Sequence, residues 1–280
     1  MEIKKILEES EQEQELEQTD ETQSVKESYG SLFVKVGIVV LSIILIVGFG
    51  IRIVPAAVTV TSLSTKNDLP IYSVHLEEPK VSLSFDTAWT NEDTSKILEI
   101  LDQYKIKATF FMTGEWVEKY PEDVKAIAAA GHDLGNHSEN HKQMTELTGN
   151  ECEKEIMMAH NRVKELTGIE MKLFRAPYGD YNNTVVGTAR DCGYFTIQWN
   201  VNSFDWKDYG VDSILNKTLE NKKLGNGSIL LLHVGAKYTP EALMQIIPGL
   251  QKKGYEIVPI SELIYTRDYK VDQMGRQIEK

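Results

Sequence analysis

Cysteine is scarce in this sequence, which contains only Cys152 and Cys192 among 280 residues. There is no CxxC motif, and neither cysteine stands close to a histidine, so a structural zinc site built on sulfur is excluded. One disulfide between them would be possible. Because both lie in segments with helical patterns and free cysteines are commonly buried, two buried free thiols are the preferred interpretation.

Basic residues are also few. Lys and Arg total 30 against 42 Asp and Glu, for a formal net charge of -12. Phosphate binding needs concentrated Lys and Arg, so we expect no nucleic-acid partner. No serine stands in a GxSxG context and no glycine-rich phosphate loop is present, so the sequence predicts neither a serine nucleophile nor a nucleotide-binding loop.

The N-terminal part of the chain has two distinct compositions. Residues 1–34 are acidic, and we expect them to be disordered. Residues 35–58 include sixteen consecutive uncharged positions between Lys35 and Arg52. A bilayer core needs about 20 apolar residues and both flanking charges can reach the interfaces, so one transmembrane signal anchor is predicted. A buried core helix is the alternative, and the balanced flanking charges leave the orientation open.

The rest of the chain predicts one α/β domain. A polar linker at 59–78 leads into residues 79–265, where short apolar runs alternate with amphipathic helical patterns, and a polar tail occupies 266–280. The predicted strands are 80–85, 108–112, 132–136, 172–176, 194–199, 228–233 and 255–260, and the helices include 94–103, 121–130, 151–166 and 242–252. Seven strands fit either an open doubly wound sheet or a barrel, and we favour an incomplete (β/α)7 barrel.

The preference for a barrel depends on where the unusual polar residues fall. Each lies at or just beyond the C-terminal end of a predicted strand. Barrel enzymes assemble their sites from strand ends on one face, so these positions should converge on one cleft. They are Asp86, His137, His141, Arg175, Asp205 and His233.

His137 and His141 are the strongest local signal. Residues four apart share one face of a helical turn, so both imidazoles could reach one divalent metal. Two unrelated histidines would give the same spacing. The chain has only six histidines and a third, His233, ends another predicted strand, which favours the metal site.

Two pairs of residues suit proton transfer. Asp86 ends an apolar strand, where a carboxylate is unexpected unless it serves a cation or a proton. Arg175 could keep Asp86 ionised, although a structural ion pair would give the same pattern. Asp205 could orient His233 and keep it an acid. This set suits hydrolysis of an amide or ester on a sugar, with Asp86 as base and His233 as acid.

Two aromatic residues complete the candidate site. The Pro and Gly around Tyr178 predict a tight turn, and the Tyr178 backbone N–H is expected to help hold the oxyanion. Trp206 follows Asp205 directly. Sugar stacking and core packing are almost equally good interpretations of Trp206.

The order and spacing of these residues resemble the polysaccharide deacetylases, the nodulation-protein-B-like (NodB-like) domain of carbohydrate esterase family 4. The five pieces of the family pattern correspond to Ser84–Ala88, His137–His141, Arg175–Gly179, Asn202–Trp206 and Leu231–His233. The resemblance implies that Asp86 is the catalytic base and His233 the acid. It also implies a divalent cofactor on His137 and His141, with zinc the first choice and cobalt or another ion possible.

Thr87 departs from the pattern. The family has a metal-binding Asp at this position, so the resemblance implies weak or absent metal binding here. Asn202 likewise replaces the first Asp of the fourth piece. The run FDTAW resembles the first piece of sporulation-type deacetylases, which suggests peptidoglycan of a Gram-positive cell as the substrate and a domain outside the membrane.

The sequence therefore predicts a membrane-anchored hydrolase that removes N-acetyl groups from an amino-sugar polymer, with peptidoglycan the expected partner. Two alternatives remain. One is a catalytically weak or inactive glycan-binding relative, which the loss of the ligand Asp favours. The other is an O-acetyl esterase, whose chemistry differs only in the leaving group.

Overall fold

A computed structural model describes residues 68–280 of the chain. The predicted signal anchor at 35–58 and the acidic segment at 1–34 lie outside these residues. Between residues 68 and 280, no helix combines the length and apolarity needed to cross a bilayer.

The described residues form an α/β fold. The strands are β1 (Ser73–Val74), β2 (Lys80–Thr87), β3 (Thr109–Met112), β4 (Asp133–Asn136), β5 (Leu173–Phe174), β6 (Phe195–Thr196), β7 (Val201–Asn202), β8 (Ser228–His233), β9 (Glu256–Ile257), β10 (Tyr269–Val271) and β11 (Arg276–Glu279). The helices are α1 (Thr94–Gln103), α2 (Gly114–Lys119), α3 (Pro121–Ala129), α4 (Gly149–Thr167), α5 (Asn183–Asp191), α6 (Val211–Thr218), α7 (Thr239–Lys252) and α8 (Ile260–Leu263). All seven predicted strands are present.

The strands form one curled sheet in the order β10-β11-β1-β8-β2-β3-β4-β5-β6, with β7 beside β8 and β9 beside β2. The run from β8 to β6 is parallel. The curl brings the two sides of the sheet together, because Ile71 pairs with Ile197 just after β6 while β1 pairs with β8. The expectation of a curled, barrel-like sheet is confirmed.

β2 shows how the sequence separates the two faces of the sheet. Alternate strand residues point to opposite faces. Val81, Leu83 and Phe85 join the apolar core shared with the helices. The alternate positions, Ser84 and Asp86 among them, are buried polar residues on the other face. A second apolar cluster, which includes Phe111, Ile197 and Ile229, lies inside the curl. β2 therefore carries Asp86 into the interior of the curl at its C-terminal end.

The sheet extends past both predicted limits of the domain. β1 lies in the segment that we interpreted as a linker, and β10 and β11 form a hairpin in the segment that we interpreted as a polar tail. β11 pairs with β1, which joins the hairpin to the sheet. The cysteines are free thiols as expected, with Cys152 buried in α4 and Cys192 partly buried at the end of α5.

Candidate active site

The C-terminal ends of the parallel strands open onto a cleft of about 440 Å³. Strand register places Asp86 of β2 opposite His233 of β8. Six of the eight sequence-predicted site residues line this cleft, and the other two, Arg175 and Asp205, are buried beside them. The lining residues are Asp86, Ala88, Trp89, His137, His141, Tyr178, Gly179, Trp199, Asn202, Trp206, Leu231 and His233.

Asp86 and Arg175 form a buried ion pair. Arg175 Nη1 donates to Asp86 Oδ1 at 2.6 Å, while Nη2 donates to Ser84 Oγ at 2.9 Å. The guanidinium is fully buried, and its carbon lies 4.0 Å from the centre of the Phe111 ring. Charge-assisted bonds of this kind fix the carboxylate in place.

The pair keeps Asp86 ionised. Burial alone would raise the pKa of Asp86. The charge of Arg175, with smaller contributions from His137 and His233, outweighs burial and holds the pKa below its ordinary value of 3.8. Asp86 can therefore accept a proton at neutral pH.

His137 is held in one tautomer. Its Nδ1 lies 2.7 Å from the carbonyl oxygen of Arg175, and a carbonyl can only accept, so we assign the proton to Nδ1. Burial lowers the pKa of His137 despite the nearby charge of Asp86. Nε2, which lies 3.6 Å from Asp86 Oδ2, is left with a free lone pair. This is the form of histidine that binds a metal.

His141 lies beside His137, with ring centroids 5.0 Å apart. Burial and the neighbouring His137 lower the pKa of His141 to about 4. Both imidazoles are therefore neutral at neutral pH. The two rings lie together on one side of the cleft, but on a loop after β4 and not on the helical turn that the spacing suggested.

The loop that carries both histidines depends on two residues that the sequence interpretation missed. Asn136 Oδ1 accepts from the Ser138 N–H at 2.9 Å, and Glu155 of α4 accepts from the Asn140 N–H at 2.8 Å. Ser138 and His141 have φ angles of 67° and 53°, which are uncommon for residues other than glycine. These side chains stabilise the strained loop. In the sequence, the only local sign of this support was an asparagine, Asn136, at the end of a buried strand.

Thr87 does not supply the third ligand. It is fully buried and does not line the cleft, and its Oγ1 has no hydrogen-bond partner within residues 68–280. In that same part of the chain, no group of three His, Cys, Asp or Glu side chains could hold a metal ion. The donor set is therefore two neutral imidazoles, one short of the three protein ligands usual for catalytic zinc.

Asp205 and His233 form the second buried pair. His233 Nδ1 donates to Asp205 Oδ1 at 2.8 Å, and the His233 backbone N–H donates to Oδ2 at 2.7 Å. Thr239 at the start of α7 also donates to Oδ2 at 2.7 Å. Burial would lower the pKa of His233, but the hydrogen bond and charge of Asp205 outweigh it and raise the pKa above its ordinary value of 6.5. His233 can therefore carry a proton at neutral pH.

The turn at Tyr178 is tight, as predicted. Tyr178 has φ 61° and Gly179 has φ 70°. A Cβ at Gly179 would lie 2.8 Å from the Trp199 ring, so only glycine fits between the turn and this tryptophan. The Tyr178 side chain is 65% exposed at the cleft edge.

Three tryptophans line the cleft, of which only Trp206 was assigned to the site from the sequence. Trp206 is 47% exposed, which does not fit core packing. Trp89 lies parallel to the His233 ring, with centroids 5.0 Å apart and an interplanar angle of 8°. A large aromatic residue in the FDTAW run was the only sequence signal for Trp89. These exposed rings can stack on sugar faces.

Comparison with known proteins agrees with this geometry. The polysaccharide deacetylase family profile matches residues 73–197. A peptidoglycan-N-acetylglucosamine deacetylase of Bacillus cereus is 36% identical over 198 residues, which are 69% of this chain and 92% of that protein. The chain belongs to the polysaccharide deacetylase family. Another relative in this comparison, the uncharacterised protein YlxY of Bacillus subtilis, is 32% identical over 195 residues; the match covers 70% of this chain and 60% of YlxY.

A solved structure of the same family comes from a protein that lacks activity. The protein is a pseudoenzyme of carbohydrate esterase family 4 (CE4) from Bacillus anthracis, and the structure is that of a mutant with restored enzymatic activity. The mutant is 36% identical to this chain, with a TM-score of 0.67. The match covers 69% of this chain and 70% of that one. The family therefore includes at least one pseudoenzyme.

Proposed function

We propose that the chain is a deacetylase that removes N-acetyl groups from an amino-sugar polymer by general acid–base hydrolysis. The observation that supports the proposal most is a pair of titratable groups on the neighbouring strands β2 and β8, whose pKa values are shifted in opposite directions. Asp86 has a lowered pKa and His233 a raised one, and the two residues are paired in strand register on one cleft. Titratable groups whose pKa values are pushed apart are typical of an acid and a base.

Asp86 is the proposed base. It would take the proton from the attacking water while Arg175 keeps the carboxylate ionised and oriented. The oxyanion that forms on the acetyl carbon would be held by the backbone N–H of Tyr178. His233 is the proposed acid: its Nδ1 donates to Asp205, so the proton on Nε2 is the one that would pass to the leaving amine. No covalent intermediate is needed.

His137 and His141 are the proposed holders of a divalent ion, with zinc the first choice and cobalt possible. When bound, the ion would supply Lewis-acid polarisation of the acetyl oxygen and of the attacking water. Binding through two imidazoles should be weak because Thr87 contributes no ligand atom.

We propose peptidoglycan as the substrate, since the Bacillus cereus relative is named for this activity. Trp89 and Trp206 offer the exposed rings for its sugars. We also propose that residues 35–58 anchor the protein in the cell membrane as a single span and that residues 68–280 lie outside the cytoplasm, where this polymer is found.

A second candidate function is glycan binding with little or no catalysis. The hydroxyl of Thr87, which is buried and has no hydrogen-bond partner among residues 68–280, favours it, as does the likeness to a pseudoenzyme. We prefer the enzyme because a protein that only binds glycans needs neither a base nor an acid, whereas both buried pairs are intact here.

The test is acetate release by the purified full-length protein from peptidoglycan and from chitooligosaccharides, with added zinc or cobalt and with a chelator. Asp86→Asn should abolish release. Asp102→Asn, at an exposed carboxylate on α1, is the matched control and should release acetate at the wild-type rate. If the wild type releases no acetate in any condition but binds glycan equally well with chelator, the second candidate function is correct.

A further inference from the structure

The loop after β7 holds a lysine among aromatic rings at the edge of the cleft. Lys207 Nζ lies 5.1 Å from the Trp206 ring centroid, 5.3 Å from that of Phe204 and 6.0 Å from that of Tyr209. We call these four residues the Lys207 cluster. Trp206 also lines the cleft, so the ammonium group stands next to the proposed site.

The loop is built to hold this position. Asn202 Oδ1 accepts from the Phe204 N–H at 2.9 Å, and Ser203 Oγ accepts from the Asp205 N–H at 3.2 Å. Phe204 and Asp208, on either side of Lys207, have φ angles of 53° and 54°. A left-handed backbone is a clear outlier for a residue as bulky as Phe. Strain of this kind persists where the surrounding structure imposes it, and often marks a functional position.

The charge of Lys207 is not used within the protein. Within residues 68–280, no carboxylate forms a salt bridge with Lys207. Lys217 Nζ approaches the same loop, 5.9 Å from the Phe204 ring centroid, whereas Arg175 is fully buried and paired with Asp86. The rings hold the ammonium group by cation–π attraction, which leaves its N–H donors free. Lys207 is exposed, so these donors are open to a ligand at the edge of the cleft.

We propose that Lys207 binds a carboxylate carried by the glycan, so that the substrate of the deacetylase is an acidic amino-sugar polymer and not a neutral one. Trp206 and Tyr209 provide faces for sugar rings, and the adjacent ammonium group supplies the charge that a sugar-linked carboxylate requires. The carboxylate could sit on the sugar itself or on an attached peptide. This inference rests on the proposed function for its ligand, a glycan, but not on turnover.

The experiment measures glycan binding and acetate release separately, with the full-length protein. Three ligands are compared: glycan strands freed of peptide, which carry sugar carboxylates; strands with peptides attached; and neutral chitooligosaccharides. Binding is measured by calorimetry for the wild type, Lys207→Gln, Lys207→Arg and the control Lys222→Gln. Lys222 is exposed and precedes β8, so it lies at the opposite end of that strand from His233.

We expect Lys207→Gln to weaken binding of one or both acidic glycans by about three- to fivefold, the size typical of an exposed charge pair. The loss should shrink at high salt and be absent for chitooligosaccharides. Lys207→Arg and Lys222→Gln should bind like the wild type. Preference between the two acidic ligands identifies the source of the carboxylate.

Equal weakening for acidic and neutral glycans would overturn the inference, as would unchanged binding of both acidic glycans or no binding of them by the wild type. The proposed function fails in a different way. If the wild type releases no acetate from any glycan but Lys207→Gln still loses affinity only for acidic strands, the carboxylate site stands and the enzymatic proposal does not.

Discussion

The two sides of the cleft differ in completeness. On the acid–base side, Asp86 with Arg175 and His233 with Asp205 form two buried pairs in which every charge has a partner. On the metal side, His137 and His141 are present but Thr87 leaves the third ligand position without a carboxylate. The loop that carries the histidines is nevertheless held by hydrogen bonds to Asn136 and Glu155.

This difference shows which losses the fold tolerates. Removing one member of a buried charged pair leaves the other charge unpaired, which costs stability as well as activity. A Thr at the position of the family's metal-binding Asp leaves only a buried neutral hydroxyl. The metal side can therefore lose a ligand while the fold persists, whereas the acid–base side is tied to the stability of the domain.

The largest effect is expected from Arg175→Met. The buried carboxylate of Asp86 would lose its main partner, and its pKa should rise because burial is then opposed only by His137 and His233. Acetate release at neutral pH should fall by about 10²–10⁴-fold. The free energy of unfolding, measured by urea denaturation, should fall by about 3–5 kcal/mol.

Arg190→Met is the matched control, because Arg190 pairs with Asp68 at the surface at 2.6 Å. Exposed pairs contribute about 1 kcal/mol or less, so this variant should retain both stability and activity. Equal destabilisation by the two substitutions would show that the acid–base side is not specially coupled to the fold.

The next effect is expected from Asp205→Asn. His233 must be protonated to act as acid, so activity is present below its pKa and lost as the pH rises through it. Asp205 raises this pKa, and burial would lower it once the carboxylate is gone. The rate should fall by about 10²-fold, and the alkaline limb of the pH–rate profile should move to lower pH.

Asp208→Asn tests whether a nearby surface charge has the same effect. Asp208 is exposed on the same loop and has a left-handed backbone that Asn accepts. The pH–rate profile of the Asp208→Asn variant should superimpose on that of the wild type. An unchanged alkaline limb in Asp205→Asn would mean that His233 is not the acid.

Much of the site was predictable because it follows from strand periodicity. Asp86 and His233 end apolar runs, and the C-terminal ends of parallel strands meet at one edge of a sheet, so their convergence required only correct strand assignment. The convergence of Arg175 with Asp86 follows from the same rule. The sequence therefore predicted these catalytic candidates before their contacts were known.

Residues that act through distant partners were missed. Glu155 lies in α4 and supports a loop fifteen positions earlier in the chain, and no local pattern indicates that contact. The sequence allows Trp89 to be either buried in the core or exposed, and only the structure shows that it stacks on His233. The hairpin of β10 and β11 had a signal, a glycine-containing turn ending at Gly275 with φ 75°, but its short polar strands were interpreted as a tail.

The smallest of the three effects, and the one that bears most directly on the difference between the two sides, is expected from Thr87→Asp. The new carboxylate would stand where the family has a metal ligand and would complete the set with His137 and His141. We expect zinc affinity, measured by competition with a chromophoric chelator, to rise on the order of 10–100-fold. Without metal the variant should be less stable than the wild type, because a buried carboxylate replaces a neutral hydroxyl.

Thr87→Asn separates charge from shape, since its amide oxygen matches the carboxylate in size but carries no charge. It should gain little zinc affinity and should not show the metal-dependent recovery of stability. If Thr87→Asp binds zinc no more tightly than Thr87→Asn, the side chain at position 87 does not reach the two histidines. The metal side would then be limited by the path of the backbone at the end of β2, and restoring the missing residue alone would not make the two sides equal.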